Sequence, residues 1–272
     1  MQDETAGPPP PWTSQDSPQG ARAAATLIVL RDSPGGAPPQ ALMVQRSSAM
    51  AFAGGAIVFP GGRVDPADIV LAECLPHDLP LQDAAARIAA IRETIEEAGV
   101  AIGLSPVPTA EALGAIRAGL HGGLPFGAVL TEHGLTVDLA ALTPFARWCP
   151  GRAESHVPRV FDTRFYVARA PEGGPLATVD ATENVRLRWA SAAQVLADCD
   201  VGREVAIYPT RRNLERLALG GSYAAVVAHA LAHPPEMVTP WKEMRGGEAH
   251  LCIPDHLGYP VTSQALATLR RG

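Results

Sequence analysis

Lysine is almost missing from this chain: its 22 basic residues are 21 arginines and Lys242, set against 28 acidic residues for a net charge of −6. A protein that tracks a nucleic-acid backbone ordinarily carries a basic excess, so general DNA or RNA binding is not expected. The arginine bias does suit forked capture of phosphate or carboxylate. Apolar runs are short as well. Stretches such as Ala23–Leu30, with its Thr26, fall far below the roughly 20 residues that a membrane span needs, so no membrane partner is expected. Cysteine is sparse: Cys74, Cys149, Cys199 and Cys252 lie 50 to 75 residues apart and form no CxxC pair. That argues against a disulfide framework or a thiolate zinc site and for a reducing compartment. The first residues include Asp3 and Glu4 without an apolar leader, and the last are Arg270-Arg271-Gly272 rather than a peroxisomal address. The expectation is a cytoplasmic protein.

What is present suffices for a core. Hydrophobic residues make up 47% of the 272, the share of an ordinary globular domain, at a length suited to one large domain or one with an insertion. Residues 1–20 hold Pro8–Pro11 and Pro18 and almost no aliphatic side chains; with nothing to bury, they read as a disordered arm. Thr26–Leu30 reads as a buried strand, Ser33–Gln40 as a Gly/Pro turn and Ala41–Gln45 as the returning strand. Ala56–Phe59 is expected to be a third short strand, stopped by Pro60-Gly61-Gly62. The strongest helix runs from Asp83, which can cap its start, to Gly99, placed as a C′ glycine. Weaker helical patterns at Glu111–Leu120 and Phe126–His133 suggest a helical insertion over about 104–146, long enough for a lid or an acyl-group pocket. Val160–Ala168 and Val185–Trp189 pattern as strands, Ser191 can cap a helix to Leu196, and Pro209–Ala232 holds two more helices. The last forty residues read as irregular.

The stretch Arg92-Glu93-Thr94-Ile95-Glu96-Glu97-Ala98-Gly99-Val100 carries the chemistry. At about 100° per residue, Ala84, Ile88, Ile91 and Ile95 form a narrow buried stripe, and Glu93, Glu96 and Glu97 cluster roughly opposite. Such a face is either solvated or holds a cation. Like charges three and four residues apart repel by a few tenths of a kcal/mol per pair. The last turn of a helix further disfavours anions by about 0.3–1 kcal/mol each. A hard divalent ion would remove that penalty, and oxygen-only ligands suit Mg²⁺ or Mn²⁺.

With Phe59-Pro60-Gly61-Gly62 upstream, these residues resemble the Nudix box, which closes with Arg-Glu-aliphatic-x-Glu-Glu-x-Gly-aliphatic. Thr94 stands where an aliphatic residue is usual, and Ala84 where the box customarily has a further glutamate. Gly62 and Arg92 are 30 residues apart, more than is usual. That longer loop, with Val64-Asp65-Pro66-Ala67-Asp68, is similar to the Nudix branch that includes peroxisomal CoA diphosphatases. Gln45-Arg46-Ser47, Gly55, Trp148 with Pro150, Phe161-Asp162-Thr163-Arg164-Phe165 and Pro209-Thr210-Arg211-Arg212-Asn213-Leu214 agree with it. Where CoA-hydrolysing relatives often carry a second arginine, this chain has Ala51.

The resemblance implies an α/β/α sandwich around a mixed β-sheet over residues 21–272, with the helical insertion and an extended C-terminal helical and irregular region. It implies that Glu93, Glu96 and Glu97 hold Mg²⁺ or Mn²⁺ against a pyrophosphate, that Glu93 helps to activate water, and that Arg92 orients the glutamates. Glu183, six residues before Trp189, is the expected further acidic ligand. Gly61 and Gly62 would admit backbone close to the phosphates, and Arg46 and Arg63 would grip them. The expected substrate is a small nucleoside diphosphate derivative, CoA or acyl-CoA first, yielding phosphopantetheine and adenosine 3′,5′-bisphosphate. The alternatives are ADP-ribose, NADH or another nucleotide derivative, and a non-catalytic nucleotide-binding module. His229 and His233 stand at helical spacing but lack the glutamate of HExxH, so zinc is not expected there.

Overall fold

A computed structural model describes residues 20–50, 53–150, 160–173, 176–179 and 184–269. The apolar run near the start forms β1 (Arg22–Arg31), a strand with almost no polar side in its centre. It is followed by β2 (Gln40–Arg46), β3 (Ile57–Val58), β4 (Gly61–Arg63), α1 (Pro66–Cys74) and α2 (Leu81–Ala98). Next come β5 (Leu104–Ser105), α3 (Ala110–His121), α4 (Phe126–Glu132) and β6 (Thr136–Val137). Then follow β7 (Thr143–Trp148), β8 (Phe161–Arg169), β9 (Asn184–Ser191), α5 (Ala192–Asp200), α6 (Tyr208–Leu217) and α7 (Tyr223–Ala232). The described chain ends with β10 (Met237–Val238), β11 (Trp241–Arg245), β12 (Glu248–Cys252) and β13 (Ser263–Ala265).

The main sheet is mixed, in the order β10-β7-β8-β1-β2-β3, with β4 joined to β1 and β9 to β2. β8 runs parallel to β1 from Arg22↔Phe161 to Leu30↔Arg169. The other edge of β1 is shared: its first half pairs antiparallel with β4 (Ala24↔Arg63, Ala25↔Gly62, Thr26↔Gly61) and its last residues with β2. Successive side chains of β1 point to opposite faces. Leu27 and Val29 therefore join the core with α2, α3 and α4, while Ile28 and Leu30 join the core with α5, α6 and α7. This is the expected α/β/α sandwich. Among the described residues, no helix is long and apolar enough to cross a membrane.

Several expectations need correction. Asp83 does not cap α2, because the helix starts at Leu81 behind Pro80; its carboxylate instead takes Arg87 Nε at 2.9 Å and the Tyr166 hydroxyl at 2.6 Å. The third strand does stop before Pro60, as β3, but Gly61–Arg63 unexpectedly forms a further strand, β4, on β1. The loop after it contains the unexpected helix α1. The helices α3 and α4 occur where the patterns put them, but they bury Ile116, Leu120, Phe126 and Val129 in the core with α2, and Thr143 already belongs to the main sheet. The C-terminal region is not merely irregular: β11, β12 and β13 form a three-stranded sheet. α5 continues past Leu196 to Asp200, started by a reciprocal capping box of Ser191 and Gln194.

A buried ion pair locks β7 to β8. Arg147 donates from Nε to Asp162 Oδ1 at 2.8 Å and from Nη2 to Oδ2 at 2.6 Å, both side chains being buried. Asp162 in the FDTRF segment is thus a structural residue. Replacing one partner of a buried pair leaves the other charge uncompensated, at a cost of about 3–5 kcal/mol. Asp162→Asn is expected to lower unfolding free energy by about 3 kcal/mol in urea titrations.

Candidate active site

α2 is built from alanines and isoleucines with Gly99 as its left-handed stop (φ 62°), and that composition lets it sit in a crowded place. β1 and β8 lie on one side, β4, α1 and α3 on others. The face opposite the isoleucine stripe is therefore covered rather than solvated. Glu97 is only 5% exposed, and Glu93 and Glu96 are partly buried. Even Thr94 is fully buried, its hydroxyl donating to the Ala90 carbonyl at 2.7 Å, which explains how a polar residue occupies an apolar position.

The cover over the glutamates is the glycine strand. Gly61 N–H donates to Glu97 Oε2 at 3.0 Å. A Cβ on Gly62 would overlap the Glu93 carboxylate, and one on Gly61 would overlap the Ala25 carbonyl on β1. Glycine is required at both positions because the strand lies directly between β1 and the acidic helix face.

Arg92 organises the acids, and all five of its N–H groups are used. Nη1 donates to Glu93 Oε1 at 2.9 Å and to Glu96 Oε1 at 2.8 Å. Nε and Nη2 fork onto Asp68 at 3.0 and 2.9 Å, and Nη2 also reaches the Arg63 carbonyl at 2.9 Å. Sequence reasoning did not single out Asp68, although Asp65-Pro66-Ala67-Asp68 has the form of a helix start and the two aspartates do make a capping box. It also missed Arg117 on α3, whose Nε donates to the Glu96 carbonyl at 2.7 Å. That contact places a cation at the C-terminal end of α2 and offsets the dipole that opposes its anions. A third omission is Asn184 at the start of β9, a buried side chain near Glu97 that acts to lower its proton affinity.

Of the residues expected to form the site, Arg92, Glu93, Glu96, Glu97, Gly61 and Gly62 come together. Arg46, at the end of β2, is close enough for its charge to act on Glu97. Arg63 meets the cluster through its carbonyl while its side chain is exposed. Glu183 and Ala51 lie outside the described residues. His229 and His233 are engaged with the carbonyls of Gly258 and His229 respectively.

No protein-family model matches the chain. Among solved structures, the crystal structure of a Nudix hydrolase from Alicyclobacillus acidocaldarius is similar at 28% identity and a TM-score of 0.64, covering 76% of this chain and 96% of that one. That likeness supports a Nudix hydrolase enzyme. Looser likenesses include an Ap4A hydrolase of C. elegans (15% identity, TM-score 0.39, 71% of this chain and 93% of that one). Another is the Nudix domain of Shewanella oneidensis NrtR complexed with ADP ribose (12%, 0.41, 72% and 86%). Those two are too distant to bear on the chemistry of this chain.

Nudix hydrolases generally use divalent metal ions such as Mg²⁺ or Mn²⁺, and the acids of this Nudix hydrolase suit one. Burial pushes Glu93 up to about 7, with the Arg92 charge pulling it down and that of Glu96 raising it again. Burial likewise pushes Glu97 up to about 8, helped by the Glu93 charge and opposed by Gly61, Asn184 and Arg46. The donor set is carboxylate oxygen, the choice of hard cations. Among the described residues, no three His, Cys, Asp or Glu side chains are gathered tightly enough to enclose an ion; Arg92 Nη1, bonded to both Glu93 and Glu96, holds those two carboxylates instead.

Two outcomes follow for this Nudix hydrolase. Glu93 and Glu97 keep protons that the unfolded chain releases near 4.5, so their contribution to stability declines as pH rises from about 4.5 to about 8. A cation that neutralises the carboxylates reverses that loss. The rise in Tm on adding Mg²⁺ is accordingly expected to be larger at pH 8 than at pH 5.5, read by scanning calorimetry. Gly62→Ala, by driving Glu93 from its place, is expected to weaken Mn²⁺ uptake by about tenfold or more in calorimetric titration.

Proposed function

We propose that this Nudix hydrolase cleaves the diphosphate bond of CoA or acyl-CoA, giving phosphopantetheine or its acyl form and adenosine 3′,5′-bisphosphate. The observation that carries the reading is the covered acid cluster of α2, with Glu93 and Glu97 titrating near neutrality beneath the glycine strand. Its extension to CoA rests on Gln45-Arg46-Ser47, the Phe59–Gly62 loop and the long segment before Arg92. Residues 21–272 are read as one catalytic domain, and its substrate as a small molecule.

Glu93, Glu96 and Glu97 would hold Mg²⁺ or Mn²⁺, with Glu183 as a further ligand. When bound, the ion supplies positive charge that neutralises phosphoryl oxygens and makes water more acidic. Glu93 would accept the proton of the attacking water. Water adds to one phosphorus, the bridging P–O bond breaks, and each product leaves with a phosphate. Arg92 keeps Glu93 and Glu96 in register without meeting the substrate, since every one of its N–H groups is engaged within the protein. Arg46 and Arg63 would grip further phosphates.

Ala51, where a second arginine would stand, favours a second reading, in which ADP-ribose or NADH replaces CoA. Incubation of the protein with Mg²⁺ and each compound, with products resolved by mass, separates the two. Phosphopantetheine from CoA supports the first, and AMP from ADP-ribose with CoA untouched supports the second. Binding of these compounds without turnover would make the chain a nucleotide-binding module. Glu96→Gln is expected to lower hydrolysis by more than about 100-fold with an unchanged circular-dichroism spectrum.

A further inference from the structure

We propose that Asp68, delivered by α1, is a positioning residue that sets how tightly Arg92 holds Glu93 and Glu96, and through them the affinity of the site for a divalent cation. This rests on the reading of Glu93 and Glu96 as cation ligands. Asp68 is 24 residues from Arg92 in sequence, is 1% exposed, and gives both carboxylate oxygens to the guanidinium. Its Oδ2 also accepts the Asp65 N–H at 2.9 Å, so the turn that starts α1 aims the carboxylate. α1 is itself held in place: it packs on α2 and α4, and Leu71 lies where a Cβ on Gly127 would touch it.

The geometry divides the guanidinium into two sides. Asp68 and the Arg63 carbonyl take three of its N–H groups, and Glu93 and Glu96 take one each. A forked carboxylate matches the charge of Arg92 most fully. The two glutamates are then oriented by single hydrogen bonds while retaining most of their negative charge for another cation. If Asp68 were neutral, Glu93 and Glu96 would become the principal counter-charges of Arg92. The guanidinium would then compete with a divalent ion for their oxygens.

The test compares the full chain with Asp68→Asn and Asp65→Ala. The Asp68→Asn change preserves the helix start, because an amide oxygen can still accept the Asp65 N–H. Asp65→Ala weakens the capping of α1 and removes a looser ion pair of Asp65 Oδ2 with Arg92 Nη2 at 3.7 Å, but leaves the forked Asp68 carboxylate. Mn²⁺ uptake is followed by loss of the free-ion spin-resonance signal, and the exchange of the Arg92 Nε–H by nitrogen-15 NMR. The expected result is a protected Nε–H in the wild type and in Asp65→Ala, lost protection in Asp68→Asn, and Mn²⁺ affinity about tenfold weaker in Asp68→Asn alone. Wild-type Mn²⁺ affinity in Asp68→Asn, or equal weakening in both variants, overturns the proposal and leaves cation binding by the glutamates standing. A wild type that protects the Nε–H yet takes up no Mn²⁺ overturns the cation reading itself and reduces Asp68 to a clamp of the fold.

Discussion

The arrangement depends on one constraint: three glutamates of a single helix are kept together, two of them against a glycine strand, with little water to screen them. Glu97 is held by a backbone N–H of Gly61, and Glu93 and Glu96 by one guanidinium. At Glu93 and Glu97, burial and a neighbouring glutamate raise the proton affinity. Each surrounding element therefore answers either their charge or their bulk. Arg92 and Arg46 supply charge, Arg117 caps the helix end, and Gly61 and Gly62 provide space.

The sheet explains why these answers arrive from distant parts of the chain. β1 is shared lengthwise between β4 and β2, so the glycine strand and the strand that ends in Arg46 are fixed by the same central element. β9 brings Asn184 opposite Arg46. The helices α3 and α4 share a core with α2. Segments spread from Arg46 to Asn184 thus converge on the last two turns of α2.

Much of this was legible in the residues. Apolar patterning located β1, β2, β8 and β9, and helical patterning found α2, α3, α4, α6 and α7. The wheel put Glu93, Glu96 and Glu97 on one face, and their spacing was the signal for a shared site. Burial of that face was not legible, because its cover comes from β4, α1 and α3, and helical periodicity reports only the helix itself. Pro80 moved the start of α2 ahead of Asp83, since a proline limits how far a helix continues before it rather than after it. The strands β11 and β12 were missed because β11 is exposed along its whole length and shows no buried alternation. Their turn did leave a mark in Gly246-Gly247, both with positive φ.

The pairing of β4 with β1 has a consequence for how such a chain can change. Only three residue pairs align the two strands, from Ala24↔Arg63 to Thr26↔Gly61. A slip of one place would turn every side chain of β4 to the opposite face and bring a side chain other than hydrogen against the helix. Lengthening or shortening the chain between β3 and β4 would displace that register, and the segment after β4 must in turn bring Asp68 back to Arg92.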